Sequence, residues 1–303
     1  MGANGLMSDA TFNAIDLSRL PAPDVIEALS FEAIYAEMLA ALKVYIPDFD
    51  DLLESDPAVR ILQVCAYFRM IDRQRINDAA KAVMVAYALG ADLDQLGVIF
   101  GVRRLEITPA DVEAGTAAVM ESDDEFRERI LLAPEGYSVA GPVGAYIFHA
   151  KSADADVADA SVISPDPGEV LVTILSRSAN GAASPELIAT VSAALSDETV
   201  RPLTDFVTIQ AATLTTWQIV ADITTYAGPD AAVVIAQGRT NAEALIARQY
   251  RLGMRPTRSA IIAALHVEGV QNVVLTSPAA DIVIGPTEAS RCTMITLNHD
   301  GVV

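Results

Sequence analysis

The apolar pattern of the chain changes its period within residues 134–176, and this change constrains the fold more than any other feature. Before this segment the apolar residues recur at helical spacing, and after it they alternate as they do in strands. Prolines and glycines interrupt the chain ahead of a predicted short helix at about 142–152, in which Pro142 suits the first turn. The sequence therefore predicts two differently built halves that meet here.

Two strands are predicted directly after that helix, at 157–163 and 169–175, and the Pro-Asp-Pro-Gly sequence at 165–168 turns the chain between them. The order that follows is strand, strand, helix, strand and then strand, helix, helix, strand, which predicts two small mixed units in series. The other predicted elements are helices at 185–195, 231–251 and 259–266, and strands at 205–210, 214–226, 270–275, 281–284 and 293–297.

The N-terminal half is predicted to be helical. Ser30 can cap a helix at 31–46, and Asp56-Pro57 can open a long one that runs to Leu89. That helix has about 32 residues and a length of ~48 Å. Asp92 is expected to cap a helix at 93–100, and Ser122 with Glu125 forms a capping box for a helix at 123–132. Pro21 and Pro23 favour an extended segment over 8–29.

The long helix has an irregular middle. Ile61, Val64, Phe68 and Ile71 keep heptad-like spacing, and the register then breaks before Ile76. A polar belt, residues 72–78, lies at the break. A helix of this length suits a bundle shared between chains, and a three-helix bundle within one chain explains the pattern equally well.

These elements give an α+β fold: an N-terminal helical region with one long helix, followed by two small mixed α/β units in series. The predicted domains are an extended segment at 1–29, a bundle-forming helical region at 30–153, a first unit at 154–211 and a second at 212–303.

Composition bounds the possible partners. The formal net charge of −20 argues against nucleic acid or an anionic lipid surface as a partner. No apolar run reaches the ~18–20 residues of a membrane span, and the first residues lack the basic and apolar regions of a signal peptide. Two cysteines provide no disulfide framework, and Cys65 is expected to be a small core residue.

The sequence shows no converging set of catalytic or metal-ligating side chains, so no catalytic, cofactor or metal residue is predicted. His149, His266 and His299 each have a structural explanation, such as packing or a helix C-terminus. The closest alternative is a hydrolase or metal enzyme that uses Asp92, Asp94 or His149. A capping aspartate beside a solvent-facing one explains the first two better, because no further oxygen ligands are near in sequence.

Long blocks of the chain resemble the baseplate J-like family, the J-type baseplate assembly (wedge) proteins of contractile-tailed bacteriophages and phage-tail-like bacteriocins. The resemblance covers residues 13–303. It is carried by LPAPDVIEALSFEAI at 20–34, RQRINDAAKAVMVAYALGADLDQLGVIFGVRRL at 73–105, the block 126–177 that begins FRERILLAPEGYS, VRPLTDFVTI at 200–209 and GPDAAVV at 228–234.

The resemblance implies a structural, non-enzymatic subunit without cofactors. Such subunits pair with a second copy of themselves and with a companion I-type wedge protein in a three-chain wedge. They also meet neighbouring wedges, the sheath-linking wedge subunit and the hub, with neither nucleic acid nor membrane as a partner. The wedges form a ring around the hub that rearranges on contraction. The implied location is the virion tail baseplate, built in the host cytoplasm. A wedge component of another contractile injection or secretion apparatus is the alternative.

Because polar residues at a bundle seam can fix register and partner choice, Arg73, Arg75 and Asn77 are the candidate interface residues. The interface is expected between helices of this chain or between chains.

Overall fold

The computed structural model describes residues 23–49, 56–138, 141–228 and 230–303. The predicted extended segment therefore lies largely outside the described residues, as does Pro229 between the strand predicted at 214–226 and the helix predicted at 231–251. The described chain forms two compact units, a helical unit from the described residues of 23–104 with 122–128, and a mixed unit from those of 105–121 and 129–303. The α+β class and the order of helices followed by mixed elements are as predicted.

The helical unit contains α1 (Phe31–Tyr45), α2 (Pro57–Ala82), α3 (Gly90–Ile99) and the first residues of α4 (Asp123–Leu132). The predicted caps of the first two helices are confirmed. The Ser30 hydroxyl accepts a hydrogen bond from Ala33 N at 3.2 Å, and the Asp56 carboxylate accepts one from Ala58 N at 2.7 Å. These bonds satisfy backbone donors that have no partner inside the helix.

The long helix α2 ends at Ala82, seven residues before the predicted end at Leu89. Turns with i→i+3 bonds follow it, such as Met84 N to Lys81 O. The guanidinium of Arg127 donates to Val85 O at 2.7 Å and to Ala88 O at 2.9 Å. Since these carbonyls are held by a side chain from α4, the chain leaves the helix where local pattern alone predicted its continuation.

The prediction that Asp92 caps the third helix is wrong. Helix α3 begins at Gly90, and Asp92 lies in its first turn. The carboxylate of Asp123 receives the Gly90 N–H at 3.1–3.2 Å, so the start of α3 is stabilised from the start of α4. The capping box of α4 is confirmed: the Ser122 hydroxyl accepts from Glu125 N at 3.3 Å and donates to the Glu125 carboxylate at 2.9 Å.

The mixed unit begins with a small antiparallel hairpin of β1 (Glu106–Thr108) and β2 (Val119–Met120), which the sequence did not predict. After α4 come a 3-10 turn (Ala133–Tyr137) and α5 (Val143–Ala153), the short helix expected after Pro142. Buried Tyr146 of α5 donates from its hydroxyl to the Asp205 carboxylate at 2.8 Å. Burial and this hydrogen bond raise the pKa of Tyr146.

The first α+β part has a three-stranded sheet. It consists of β3 (Val157–Ile163), β4 (Glu169–Ser176), α6 (Pro185–Leu195) and β5 (Phe206–Ala211), with strand order β3-β4-β5. The first pair is antiparallel and the second is parallel, so α6 is the crossover that a parallel pair requires. Apolar side chains of α5, α6 and the strands form its core, among them Ala150, Val172 and Val191.

The second α+β part repeats this design with longer strands. It consists of β6 (Thr213–Thr225), α7 (Ala231–Gln249), α8 (Arg258–Leu265), β7 (Val270–Ser277) and β8 (Glu288–Val302), with strand order β7-β6-β8. Strand β6 pairs antiparallel with β7 and parallel with β8. The central strand carries the core through Trp217, Ile219 and Ile223, which pack against the two helices.

Two strand predictions in this part need correction. Residues 281–284 form no strand, because their polar groups are hydrogen-bonded to the residues at the start of α8. The Asp281 carboxylate accepts from Arg258 N at 2.7 Å, and Ile282 N donates to Pro256 O. Strand β8 is far longer than the predicted 293–297, since it continues to pair with β6 through a sequence with little apolar alternation.

The two α+β parts share a small apolar cluster. It joins Leu175 and Ala212 to Leu252 and Ala289, all buried. Beside it, the Asp159 carboxylate accepts from Leu252 N at 2.9 Å. The mixed unit is thus one packed body with two cores.

Candidate functional site

The predicted interface residues do not act as one group. Asn77 is almost fully buried on the inner face of α2, where its amide pairs with the backbone of Glu27. The Nδ2 group donates to Glu27 O at 2.9 Å, and Oδ1 accepts from Glu27 N at 3.1 Å. Arg73 lies one turn earlier and approaches the carboxylates of Glu27 at 3.8 Å and Glu37 at 3.7 Å. The structure therefore places Arg73 and Asn77 together, against α1 and the residues that precede it.

Arg75 lies on the opposite face of α2 and is exposed. That face also carries the heptad-spaced residues of the sequence, which we term the apolar stripe: Ile61, Val64, Phe68 and Ile71. All four are exposed, at 64%, 55%, 59% and 42%. Arg75 follows Ile71 by four residues and Phe68 by seven, so it continues the stripe by one turn. Within the described part of the chain, Arg75 has no carboxylate at ion-pair distance.

Helix α2 is thus apolar on two sides. Val59 and Ala66 face inward and are buried, while the stripe faces outward. Cys65 lies beside the stripe and is exposed, so the prediction of a core residue is wrong. The sequence indicated that α2 has apolar residues, but it did not show which of its two apolar faces is buried within this chain.

Such a surface is suited to helix–helix association. Exposed apolar side chains at heptad spacing are the pattern by which helices of separate chains pack. The guanidinium of Arg75 at the end of the stripe presents several N–H donors to solvent. The candidate site is therefore this exposed surface of α2 rather than a pocket.

Asn77 is predicted to stabilise the helical unit. Replacing it by alanine removes both bonds to Glu27 and leaves two partly buried backbone groups unpaired, so we expect the Asn77→Ala chain to lose about 1–3 kcal/mol of unfolding free energy. Urea unfolding followed by far-UV circular dichroism measures this loss. The control is Arg75→Ala on the same helix, for which we expect a change within ~0.5 kcal/mol. Equal losses for the two variants would contradict the assignment.

Asp92, Asp94 and His149, the residues of the alternative enzyme hypothesis, each have different surroundings. Asp92 is exposed, while the Asp94 carboxylate accepts from Arg104 Nε at 2.8 Å. His149 lies in the mixed unit, where its Nε2 lies 3.2 Å from Gly136 O. Burial lowers the pKa of His149, and the contact with Gly136 O opposes this shift only in part.

The carboxylates of the acidic stretch 121–125 also bind different side chains rather than one common group. The Asp123 carboxylate accepts from Arg104 at 2.7 Å and Asp124 pairs with Arg127 at 2.6 Å. Burial works to raise the pKa of Asp123, but the bonds from Gly90 N and Arg104 together lower it. Among the described residues, no group of three or more histidine, cysteine, aspartate or glutamate side chains could hold a metal ion.

Sequence reasoning missed a deeply buried ion pair. The Arg129 guanidinium donates from Nε and Nη2 to the two carboxylate oxygens of Glu121, both at 2.8 Å, with both side chains under 5% exposed. Glu121 also accepts from Leu105 N at 3.2 Å, and Arg129 donates to Ser152 Oγ at 3.2 Å. The pair joins the β1–β2 hairpin to α4 and α5. Its only signal in the sequence was the arginine itself within an amphipathic helix.

No helix in the described ranges is both long enough and apolar enough to cross a bilayer.

Three family models match successive parts of the chain. The Baseplate J-like N-terminal domain matches residues 54–111, which include all of α2 and α3. The Baseplate J-like central domain matches 138–211 and the Baseplate J-like protein C-terminal domain matches 217–298, which correspond to the two α+β parts. Together these matches cover well over half of the sequence.

A curated relative is similar over almost its whole length. The chain is 50% identical over 288 residues to Baseplate protein J of Escherichia phage P2, covering 92% of this chain and 95% of the relative. Among solved structures, a chain of the anti-feeding prophage (AFP) baseplate is 12% identical with a TM-score of 0.29; the match covers 88% of this chain and about half (53%) of that one. The family models and the phage relative agree, and the chain belongs to the baseplate J-like family.

Proposed function

We propose that this chain is a structural, non-enzymatic subunit of the baseplate wedge of a contractile phage tail or tailocin. The relative at 50% identity is a phage baseplate protein by name, which favours a phage tail over another contractile injection apparatus. The observation that carries the proposal is the apolar stripe on α2, since a stable subunit exposes such a surface only where another chain covers it.

In this proposal the stripe is the site of assembly. A second copy of the chain and a companion I-type wedge protein would pack helices against Ile61, Val64, Phe68 and Ile71, forming a three-chain wedge. Arg75 would contact a partner at the end of the stripe. Arg73 and Asn77 would act indirectly, because they hold Glu27 and the start of α1 against the inner face of α2.

The two α+β parts would then serve the ring. The proposal assigns them to contacts with neighbouring wedges, the sheath-linking subunit and the hub, in a baseplate that rearranges on contraction. Each part has its own main core, so each can keep its fold while its surface contacts change. The particle would be assembled in the host cytoplasm and carry this chain in the tail baseplate.

This location can be tested with purified tails. The tails are taken from a host that lacks the gene for this chain and is complemented with a tagged copy. We expect gold-labelled antibody against the tag at the tail end that carries the baseplate, and tails without baseplates when the gene is absent. Normal baseplates in the absence of the gene would overturn the proposal.

A further inference from the structure

The outward face of α2 carries two interleaved series of residues at heptad spacing. Residues 61, 68, 75 and 82 form one series, and residues 64, 71 and 78 form the other. The first four positions along the helix are the apolar stripe. The next two are Arg75 and Asp78, and Asp72 lies three residues before Arg75. In a pair of packed helices such positions form the seam and meet the partner directly. The polar belt at 72–78 therefore interrupts the seam itself.

The outward charges of the polar belt alternate in sign. Asp72, Arg75 and Asp78 follow one another at intervals of three residues, and all three are exposed. The Asp78 carboxylate accepts a hydrogen bond from Gln74 Nε2 at 2.7 Å, and none of the three charges forms an ion pair within the described part of the chain. In a packed seam the guanidinium requires a carboxylate, and the carboxylates require a cation. A second copy of the same belt supplies both, because each arginine then lies within one turn of the other copy's aspartates.

The belt lies off the centre of α2, and this decides the direction of the pairing. Arg75 lies 18 residues after the first residue of α2 and 7 before the last. If a second α2 ran antiparallel with its belt against this one, only residues 68–82 of the two helices would overlap. Ile61 and Val64 would then lie level with residues 89 and 86 of the second copy, beyond the end of its helix. A parallel helix in the same register covers all 26 residues of α2, about 39 Å, and both ends of the stripe.

We infer that the α2 helices of two copies pack parallel and in register, with one polar belt facing the other. This inference rests on the proposed self-association and adds its direction and register. The belt excludes slipped alignments, because a shift by one heptad places Arg75 against the apolar side chain of Phe68 and leaves its charge unpaired. A polar position in an otherwise apolar helix seam fixes register in this way, at some cost in stability.

Cross-linking at a single position tests the direction. Val64→Cys is introduced into a chain with Cys65→Ser and Cys292→Ser, and its complex with the companion wedge protein is purified and oxidised under mild conditions. In the parallel pair the two new cysteines are level, so we expect a disulfide-linked dimer of this chain. In the antiparallel pair they would lie ~33 Å apart, far beyond the Cα separation of about 7 Å that a disulfide allows. The control is Arg69→Cys, exposed and away from the stripe, for which we expect several-fold less dimer. No dimer with Val64→Cys, or as much with the control, in a complex that holds two copies rejects this inference alone. The absence of any complex would instead reject the proposed function.

Charge reversal tests the contact between the two belts. Arg75→Glu makes the outward charges of the belt all negative, and Asp72→Arg with Asp78→Arg makes them all positive. A tagged and an untagged full-length chain are co-expressed with the companion protein and purified through the tag. We expect each variant to recover its own untagged copy about tenfold less well than the unmodified chain does, and a mixture of the two variants to regain recovery, because opposite charges then face each other. The control is Arg69→Glu, for which we expect recovery within about twofold of the unmodified chain. If the mixture is recovered no better than either variant alone, the belts do not face each other and the inference is wrong.

Discussion

The substitution Phe68→Glu is expected to abolish incorporation of the chain into baseplates while leaving its fold intact. Phe68 is central in the apolar stripe and 59% exposed in the single chain. A glutamate there costs the isolated chain little, because exposed surface positions usually change stability by no more than ~0.5 kcal/mol. In a packed helix interface the same charge loses its water, and central aromatic residues are the contacts on which binding depends most. We therefore expect association to weaken at least ~100-fold.

Two measurements together test this expectation. Urea unfolding gives the stability of the variant. Affinity purification through a tag on the companion protein shows whether the variant still associates with the other wedge proteins. The control is Arg69→Glu, which places the same side chain on the next residue of α2, away from the stripe. We expect Arg69→Glu to be recovered like the unmodified chain. If both variants were recovered equally, the stripe would have no part in assembly.

The substitution Arg129→Met is expected to cause the largest loss of stability. It leaves the Glu121 carboxylate buried without its bidentate partner, and breaking a buried ion pair from one side typically costs about 3–5 kcal/mol. Trp217, the one tryptophan of the chain, is buried in the same unit, so its fluorescence reports unfolding of that unit in urea.

The double substitution Glu121→Leu with Arg129→Met separates charge from packing. Because it removes both ions, we expect it to recover most of the loss, to within ~1–2 kcal/mol of the unmodified chain. Asp124→Asn, which removes the exposed member of the neighbouring Arg127 pair, should change stability little. If Arg129→Met unfolds like Asp124→Asn, the buried pair does not hold this part of the fold.

Local chemistry predicted the elements whose ends are set by nearby residues. Helix α1 begins directly after Ser30 and α6 begins at residue 185, both as expected, because Ser30 and Ser184 cap the residues that follow them. Strands β3 and β4 also lie within one residue of their predicted bounds, since a tight turn separates two clear apolar patterns.

Predictions failed where a distant residue decides the local structure. Helix α2 ends early because Arg127 holds Val85 O and Ala88 O, and α3 begins at Gly90 because Asp123 receives its N–H. No window around residues 83–92 contains those contacts. Residues 281–284 have the composition of a strand, but the Asp281 carboxylate accepts a hydrogen bond from Arg258 N at the start of α8 instead.

The candidate site could be predicted in part. Its heptad spacing was visible in the sequence, as was the polar break at 72–78. Both faces of α2 contain apolar residues, however, so only the folded chain separates the covered face of Val59 and Ala66 from the exposed stripe. For the same reason the sequence grouped Arg73, Arg75 and Asn77, whereas the fold places the first and last inside and Arg75 outside.

The mass of the complex formed on co-expression with the companion wedge protein tests the central claim most directly. Native mass spectrometry of the purified material should show one species that contains two copies of this chain and one companion, and the species should be lost with Phe68→Glu. Recovery of both proteins as separate monomers, under conditions in which each is folded, would contradict the proposed role of this chain as a wedge subunit.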